Sequence, residues 1–439
     1  MSIWNTAKQM AAQTPDNRNR YIDFLRALSI LVVVTGHWLI AGFYYAQGEV
    51  QSIQVLAAIP ETQPLTWLFQ VMPIFFIVGG YSNAISLQSA ANKNLTYSAW
   101  LATRLDRLVR PLLPLIAVWS VIAVSLLGFG HAAEDVQLLT QIALIPIWFL
   151  AIYIVVVVLA PLTYKAWERF GLTSFFGFAL MAVAVDTAVF SAGFDWAGWS
   201  NYLWVWLAVH QLGYAWQANK FSTSFVKTIS VSALAWTVLA ALVFIGPYPL
   251  AMVGSPDPDI SNTLPPKITL LALGIAQFSL LLLLERPANR WLSRVRVWAV
   301  TVLINSMIMT LYLWHITVML LVVLVGWLLG GVGLTLEPGT AEWWLTRPIW
   351  IGLLFVLLVP TALALSPIER SSRPAGWQTN KLQLVLGALL ICIGIALLSM
   401  FGIGNAPILF ADVAAVVAIF CGAVISGVLG IGPREREAG

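Results

Sequence analysis

The chain contains repeated apolar runs of about 20 residues, and this pattern restricts its fold more than any other feature. A helix of about 20 residues spans the hydrocarbon core of a bilayer and pairs its backbone N–H and C=O groups internally. Of the 439 residues, 60% are hydrophobic and 10% are charged, whereas soluble domains carry about 25% charged residues. The sequence therefore predicts an all-α, polytopic transmembrane helix bundle.

About twelve membrane spans are predicted, ten in a core and two after it. They are 24–45, 66–87, 111–130, 141–163, 174–193, 201–217, 227–248, 267–284, 299–329, 344–366, 382–403 and 408–430. The ninth is long for one crossing, so we expect it to tilt or to break near Gly330. The predicted domains are a cytoplasmic tail (1–19), the membrane core (20–370), a linker (371–381), a two-helix extension (382–430) and a second cytoplasmic tail (431–439).

Basic residues are distributed unequally between the two predicted faces of the membrane. With the N-terminus in the cytoplasm, all but two of the 23 Lys and Arg residues lie on the cytoplasmic side. The two exceptions are Lys267 and Arg347. Because this asymmetry explains the net charge of +4, we do not predict a nucleic-acid partner. The two cysteines, Cys392 and Cys421, lack metal-like spacing, and no metal site is predicted.

Arg26 and His37 are two polar residues inside the first apolar run. They are eleven positions apart, which at about 100° per residue places both on one face of a helix, about 16 Å apart along its axis. Charged and ionisable groups in a membrane helix usually face a bundle interior or a wet cavity, and they indicate a functional site. The alternatives are a membrane-anchoring role for Arg26 and a hydrogen-bonded packing role for His37.

A second intramembrane histidine lies in the ninth span. Tyr312 and His315 are three residues apart and therefore neighbours on one helical face. An imidazole next to a phenol favours a polar cavity over an isolated packing position. These two residues join Arg26 and His37 as candidate catalytic groups.

A basic stripe precedes the third span. Arg104, Arg107 and Arg110 recur every third residue before Pro111, which predicts a basic face on a short interfacial helix. Such a face suits the phosphates of a cytosolic donor such as coenzyme A, and it equally suits anionic lipid headgroups. Other polar or small residues within or beside spans each have a structural alternative. They are the Gly79–Gly80 pair, Trp148, Asp186, His210 and Glu369.

These segments, in this order, resemble the acyltransferase 3 family of membrane-bound acyltransferases. The segments that carry the resemblance are Arg26-x10-His37, Phe75 to Tyr81, Arg104 to Pro111, Trp148 to Leu150, Tyr312 to His315 and the turn at Glu369. It covers about residues 20–370. Gly79 stands where the family more often has serine, so no serine-dependent role is predicted there.

The resemblance implies transfer of an acyl group, often acetyl, from cytosolic acyl-coenzyme A to a hydroxyl of a cell-envelope carbohydrate or lipid-linked glycan. On this interpretation acyl-coenzyme A is a substrate, and no bound cofactor is expected. His37 is then a general base, and His315 with Tyr312 orients it or stabilises an oxyanion. Arg26 is expected to hold the donor. Further donor or substrate contacts are expected from Arg104, Arg107, Arg110, Trp148 and Glu369.

Two other classes of protein fit part of the pattern. A twelve-span secondary transporter would have a similar number of helices, although the sequence shows no two-fold repeat of halves. A non-catalytic membrane scaffold would have no use for Arg26, His37 and His315 inside the bilayer. The Ala-, Trp- and Gly-rich composition favours a bacterial plasma membrane.

Overall fold

The structure is a computed structural model that describes residues 8–9, 11–15, 18–221, 224–254, 260–371, 380–404 and 410–429. Within these ranges the chain is a bundle of α-helices, and the predicted fold class is confirmed. Ten helical segments of this described part are long and apolar enough to cross a membrane. Most of the predicted linker, 372–379, and the predicted tail 431–439 lie outside the described residues.

The described helices and strands are numbered here in chain order. The helices are α1 (Arg20–Ile40), α2 (Val55–Ala58), α3 (Thr66–Phe69), α4 (Met72–Asn92), α5 (Tyr97–Val109), α6 (Leu112–Gly128), α7 (Ala133–Leu144), α8 (Ile147–Phe170), α9 (Leu172–Ala192), α10 (Asp195–Gly198), α11 (Asn201–Gln217), α12 (Phe225–Phe244), α13 (Ile268–Leu292), α14 (Val295–Asn305), α15 (Ile308–Leu328), α16 (Ala341–Arg370), α17 (Lys381–Phe401) and α18 (Ala411–Ile425). A 3-10 helix covers Pro60–Leu65, and the strands are β1 (Ala41–Ala46) and β2 (Glu49–Gln54).

Polar caps begin several helices. The Asn19 side chain accepts a hydrogen bond from the Tyr21 backbone N–H at the start of α1. At the start of α17, Asn380 and Gln383 form a reciprocal capping box. Each cap satisfies N–H groups that have no partner inside the helix.

The first predicted span is too long at its C-terminal end. Helix α1 ends at Ile40, and the chain continues as an antiparallel hairpin in which Ala41 pairs with Gln54 and Ala46 with Glu49. The two turn residues, Gln47 and Gly48, both have positive φ. This backbone matches the right-handed twist of paired strands, so a tight hairpin replaces the last turn of the predicted helix.

The ninth predicted span is broken, but not near Gly330. Helix α14 ends at Asn305, Met307 leaves the helical conformation, and α15 begins at Ile308. The Asn305 side chain donates hydrogen bonds to the carbonyl oxygens of Asp23 and Thr301. A side chain that bonds backbone carbonyls in this way competes with continuation of the helix.

Three other predicted spans differ from the observed helices. The fourth begins later, because α7 and α8 are separate helices over most of 133–170. The sixth and twelfth correspond to α11 and α18, which have 17 and 15 residues. Both are shorter than the roughly 20 residues that cross a bilayer without tilt or thinning. The structure therefore contains ten full-length candidate spans in its described part, not twelve.

The chain forms two compact units. Unit one is Met1–Ser86 with Leu162–Val359, and unit two is Leu87–Pro161 with Pro360–Gly439. In unit one, α1 packs against α13, α14 and α15, while α9 packs against α11 and α12 against α13. In unit two, α17 packs against α18, α7 and α5.

Glycines allow α4 and α11 to cross closely in unit one. A Cβ built on Gly80 would overlap the carbonyl oxygen of His210, and one built on Gly213 would lie 2.8 Å from the Cα of Gly80. Small residues at such a crossing let two membrane helices approach through their backbones. Gly80, one of the predicted glycine pair, therefore serves helix packing.

Replacing Gly80 with Val is expected to destabilise the bundle. The added side chain has no room at the α4–α11 crossing, and overpacking of this kind costs about 1–3 kcal/mol. The free energy or midpoint of unfolding of the purified protein in detergent measures the loss. Gly177→Val is the control, because a Cβ on Gly177 meets no atom within 4 Å. Equal midpoints for the two variants would contradict the close crossing.

Candidate active site

Two histidines from α1 and α15 form a hydrogen-bonded pair in unit one. Nδ1 of His37 lies 2.8 Å from Nε2 of His315, and the two rings are 20° from parallel. Nδ1 of His315 lies 2.6 Å from the carbonyl oxygen of Tyr312. The Trp38 indole N–H donates to the carbonyl oxygen of His315 at 3.0 Å. The candidate site is therefore built where α1 and α15 are held together by side chains.

The hydrogen bonds determine which ring nitrogens carry protons. A carbonyl oxygen only accepts, so Nδ1 of His315 carries a proton and donates it to Tyr312. In the neutral ring, Nε2 of His315 is then an acceptor, and Nδ1 of His37 must be the donor to it. Neutral His37 consequently has its lone pair on Nε2. The pair thus holds His37 in the tautomer that a general base requires.

His37 faces the bundle and not the lipid. Leu28 is the exposed residue of α1, at 40% exposure. It is nine positions from His37, or about 180° around the helix. His315 is fully buried, whereas His37 is half-buried, and its Nε2 has no hydrogen-bond partner among the described residues. A Cβ built on neighbouring Gly36 would meet no atom within 4 Å, so the surface of α1 is open at that position.

Arg26 lies on the same stripe of α1, in a separate polar cluster. Its Nη2 donates to the Ser82 hydroxyl at 2.8 Å, and its Nη1 lies 3.6 Å from the Asp23 carboxylate. Asp23 also pairs with Arg18 at 2.6 Å. Two arginines share one carboxylate, so the cluster keeps a net positive charge. The Arg26 side chain is 31% exposed, which leaves part of its guanidinium available to an anion.

Further polar residues surround the end of α1 that carries Arg26. The Asn19 side chain donates to Glu285 at 3.0 Å, and the Trp216 indole N–H donates to the other oxygen of that carboxylate at 3.1 Å. The Tyr21 hydroxyl donates to the carbonyl oxygen of Leu281. These bonds connect α1 to α11 and α13 and so position the Arg26 end of the stripe.

Tyr312 contributes its backbone, not its phenol, to His315. The two rings are 6.2 Å apart at 32°. The two side chains are thus neighbours on α15, as predicted, and the carbonyl of Tyr312 orients the His315 imidazole. The structure brings Tyr312, His315 and His37 together, whereas Arg26 lies about three turns away along α1.

The other predicted site residues belong to unit two. Arg104 and Arg107 lie on α5, and Arg110 follows its last residue. Arg104 is half-buried beside the Trp100 ring, Arg107 is exposed, and Arg110 lies 3.7 Å from Asp106. Trp148, near the start of α8, and Glu369, near the end of α16, are both half-buried. The predicted short basic helix is therefore present.

The secondary candidates Asp186 and His210 have structural partners. The Asp186 carboxylate accepts hydrogen bonds from Asn201 at 2.8 Å and from Tyr248 at 3.0 Å. Nε2 of His210 lies 3.2 Å from the Asn83 amide nitrogen. Both side chains are buried and bonded to neighbouring segments, which fits a role in holding helices together, although Nδ1 of His210 has no partner among the described residues.

The sequence reasoning missed several residues that bond to the Arg26 cluster or lie beside it. Ser82 follows Gly79 by three positions, so the two lie on one face of α4. This face supplies the hydroxyl to Arg26, although serine is absent at position 79 itself. Asn19 and Glu285 also escaped notice because Asn19 precedes the first span and Glu285 follows the predicted end of the eighth. Helical spacing from Gly79 was the one available signal for Ser82.

Comparison with known proteins shows the family to which the chain belongs. A family model described as an acyltransferase domain, of the acyltransferase 3 type, matches residues 19–367 of the 439. The match includes α1, α15 and every residue of the two clusters except Arg18. No curated protein and no solved structure matches the chain.

The tautomers of the histidine pair are open to direct measurement. We expect the nitrogen NMR spectrum of ¹⁵N-histidine-labelled protein at neutral pH to show His37 and His315 both protonated on Nδ1 and unprotonated on Nε2. His37→Ala and His315→Ala assign the signals, and each is expected to shift the signal of the remaining partner. A His37 ring protonated on Nε2 would contradict the hydrogen-bond pattern.

Proposed function

Because the chain belongs to the acyltransferase 3 family of membrane acyltransferases, we propose that it transfers a short acyl group, such as acetyl, from cytosolic acyl-coenzyme A. The proposed acceptor is a hydroxyl of a cell-envelope carbohydrate or glycolipid. The proposed location is a bacterial plasma membrane, with both termini in the cytoplasm. The observation that carries this proposal is the His37–His315 pair, which leaves Nε2 of an inward-facing, half-buried histidine as a base.

The proposed reaction begins when Nε2 of His37 removes the proton of the acceptor hydroxyl. The hydroxyl oxygen attacks the thioester carbonyl carbon, the C–O bond forms, and the C–S bond breaks. The coenzyme A thiolate leaves and receives the proton that His37 took up. During the reaction the His37 imidazolium keeps its Nδ1–H bond to His315, so its orientation does not change.

A covalent route is also compatible with the same residues. Nε2 of His37 would then attack the thioester carbon, and the C–S bond would break to release the thiolate. The acceptor oxygen would next attack the acyl carbon, the bond from that carbon to Nε2 would break, and the hydroxyl proton would pass to the thiolate. Both routes require the lone pair of His37 on Nε2. The partial exposure of His37 supports access of a reacting group to this atom.

The Arg26 cluster supports a role in donor binding. In the proposed orientation it lies at the cytoplasmic end of α1, where coenzyme A would arrive. Its net positive charge and partly exposed guanidinium suit a phosphate group. We assign further phosphate contacts to Arg104 and Arg107 of α5 and to Arg110 after it, with Trp148 and Glu369 as other substrate contacts.

Replacing His37 with Ala is expected to lower acyl transfer by at least about 100-fold, because a general base contributes about 10²–10⁴ to the rate. The measurement is acyl transfer to envelope glycans by mass spectrometry, together with consumption of acyl-coenzyme A by purified protein. His131→Ala is the matched control, because His131 is an exposed histidine outside the site. Full transfer by His37→Ala protein would disprove the proposed base. Solute movement without acyl transfer would instead identify a transporter.

Replacing Arg26 with Ala is expected to raise KM for acyl-coenzyme A, since the cluster would lose a phosphate-binding cation. A charge-assisted hydrogen bond is worth about 1.5–3 kcal/mol, which corresponds to roughly a 10- to 100-fold change in KM. Ser82→Ala is expected to change KM less, because it removes only an orienting hydroxyl. Arg296→Ala, at an exposed position, serves as control. An unchanged donor KM in Arg26→Ala would refute this assignment.

A further inference from the structure

The two basic residues predicted outside the cytoplasmic face are both buried. Lys267 is 5% exposed and Arg347 is 8% exposed. Lys267 lies near the carboxylates of Asp186 and Asp195, which counteract the lowering of its pKa by burial. Arg347 forms no ion pair with any carboxylate of the described residues. A buried cation without a counter-ion is costly and therefore calls for an explanation.

Arg347 lies between two tryptophans of its own helix. Its Cζ is 4.1 Å from the ring centre of Trp343 and 5.3 Å from that of Trp350. The three residues are at positions i, i+4 and i+7 of α16 and so share one face. Cation–π contact compensates part of the desolvation of the guanidinium, but it leaves the N–H groups without acceptors.

Most hydrogen-bond donors of this group are unused. Of the five N–H donors of a guanidinium, Nε–H bonds the Trp343 carbonyl oxygen at 3.1 Å, and one on Nη2 reaches the Thr346 hydroxyl at 3.4 Å. The remaining guanidinium donors have no acceptor among the described residues. The indole nitrogens of Trp343 and Trp350 are likewise buried and without an acceptor. The face is therefore rich in donors and positively charged.

A contact of Phe355 relates the position of this donor-rich face to the histidine pair. Phe355, on α16, packs edge to face against Trp38 at 4.9 Å, and Trp38 adjoins His37 and bonds His315. Arg347 precedes Phe355 by eight residues, or about 12 Å along the helix. In the proposed topology this direction leads to the external face, from which the acceptor would approach.

We propose that Trp343, Arg347 and Trp350 form an oxyanion subsite that binds a phosphate group carried by the acceptor. A guanidinium binds phosphate through two parallel N–H bonds, and indole N–H groups donate to the remaining oxygens. The ligand would neutralise the buried charge and satisfy the free donors together. The acceptor is on this basis a phosphate-bearing glycan or glycolipid. Only this assignment to the acceptor rests on the proposed function.

The subsite is tested by ligand binding, which needs neither acyl donor nor turnover. Full-length protein in dodecyl maltoside is titrated with two matched pairs of probes, while tryptophan fluorescence and thermal stability are recorded. One pair is glucose 1-phosphate and glucose; the other is dihexanoyl phosphatidic acid and dihexanoylglycerol. We expect the phosphorylated member of at least one pair to bind about tenfold or more tightly than its neutral partner.

Three variants separate binding from folding. Arg347→Gln is expected to abolish the preference for phosphate, and Arg296→Gln, at an exposed position, is expected to keep it. Trp350→Phe retains an aromatic face but loses the indole N–H, and should weaken phosphate binding about threefold to tenfold while the protein stays folded. The Trp350→Phe variant therefore still tests the subsite if Arg347→Gln protein does not fold.

The outcomes have distinct meanings. Preference for glucose 1-phosphate supports an acceptor phosphate, whereas preference for phosphatidic acid alone supports the oxyanion subsite but assigns it to a lipid headgroup and overturns the acceptor assignment. Equal binding of phosphorylated and neutral probes overturns the subsite, as does an unchanged preference in both Arg347→Gln and Trp350→Phe. Failure of the proposed acyl transfer would appear in the His37→Ala experiment. The binding assay needs no acyl transfer, so its result is independent of that experiment.

Discussion

The hydrogen bond between His37 and His315 is the interaction on which the rest of the candidate site depends. In an apolar bilayer interior, polar side chains need protein partners because no water replaces them. The imidazoles satisfy each other, and the Tyr312 carbonyl accepts the remaining proton of His315. This arrangement leaves one free lone pair, on Nε2 of His37. The need of buried polar groups for hydrogen-bond partners thus leaves a basic lone pair at one atom, Nε2 of His37.

The same requirement organises the opposite end of α1. Arg26, Asp23 and Arg18 form a charged cluster, and Ser82 completes the hydrogen bonding of Arg26. One helix therefore carries a cationic group at one end and a base near the other. In the proposed reaction, the cationic group would bind the charged donor and the imidazole would take the proton of the acceptor hydroxyl. The helical period aligns them on one stripe.

Polar residues in the membrane core of this protein divide into two kinds. Asp186 is buried and accepts hydrogen bonds from Asn201 and Tyr248, so it connects neighbouring segments of the bundle. His37 and Arg347 retain hydrogen-bonding atoms without acceptors or donors among the described residues. Because unmet hydrogen bonding is costly in an apolar medium, the second kind is where we propose that ligands bind.

The helical class and the polar residues of α1 and α15 followed from the sequence by itself, because hydrophobicity and helical spacing are local properties of the chain. Helix ends were less predictable: the hairpin after Ile40 and the break at Asn305 depend on turn geometry and on a side-chain bond to Asp23. Only the tertiary structure decided that His37 pairs with His315, 278 residues away, and that Ser82 bonds Arg26. Such contacts depend on how separate helices pack against each other, and this packing cannot be predicted from the local sequence. The tautomer of His37 follows from that packing, and so does its direction into the bundle.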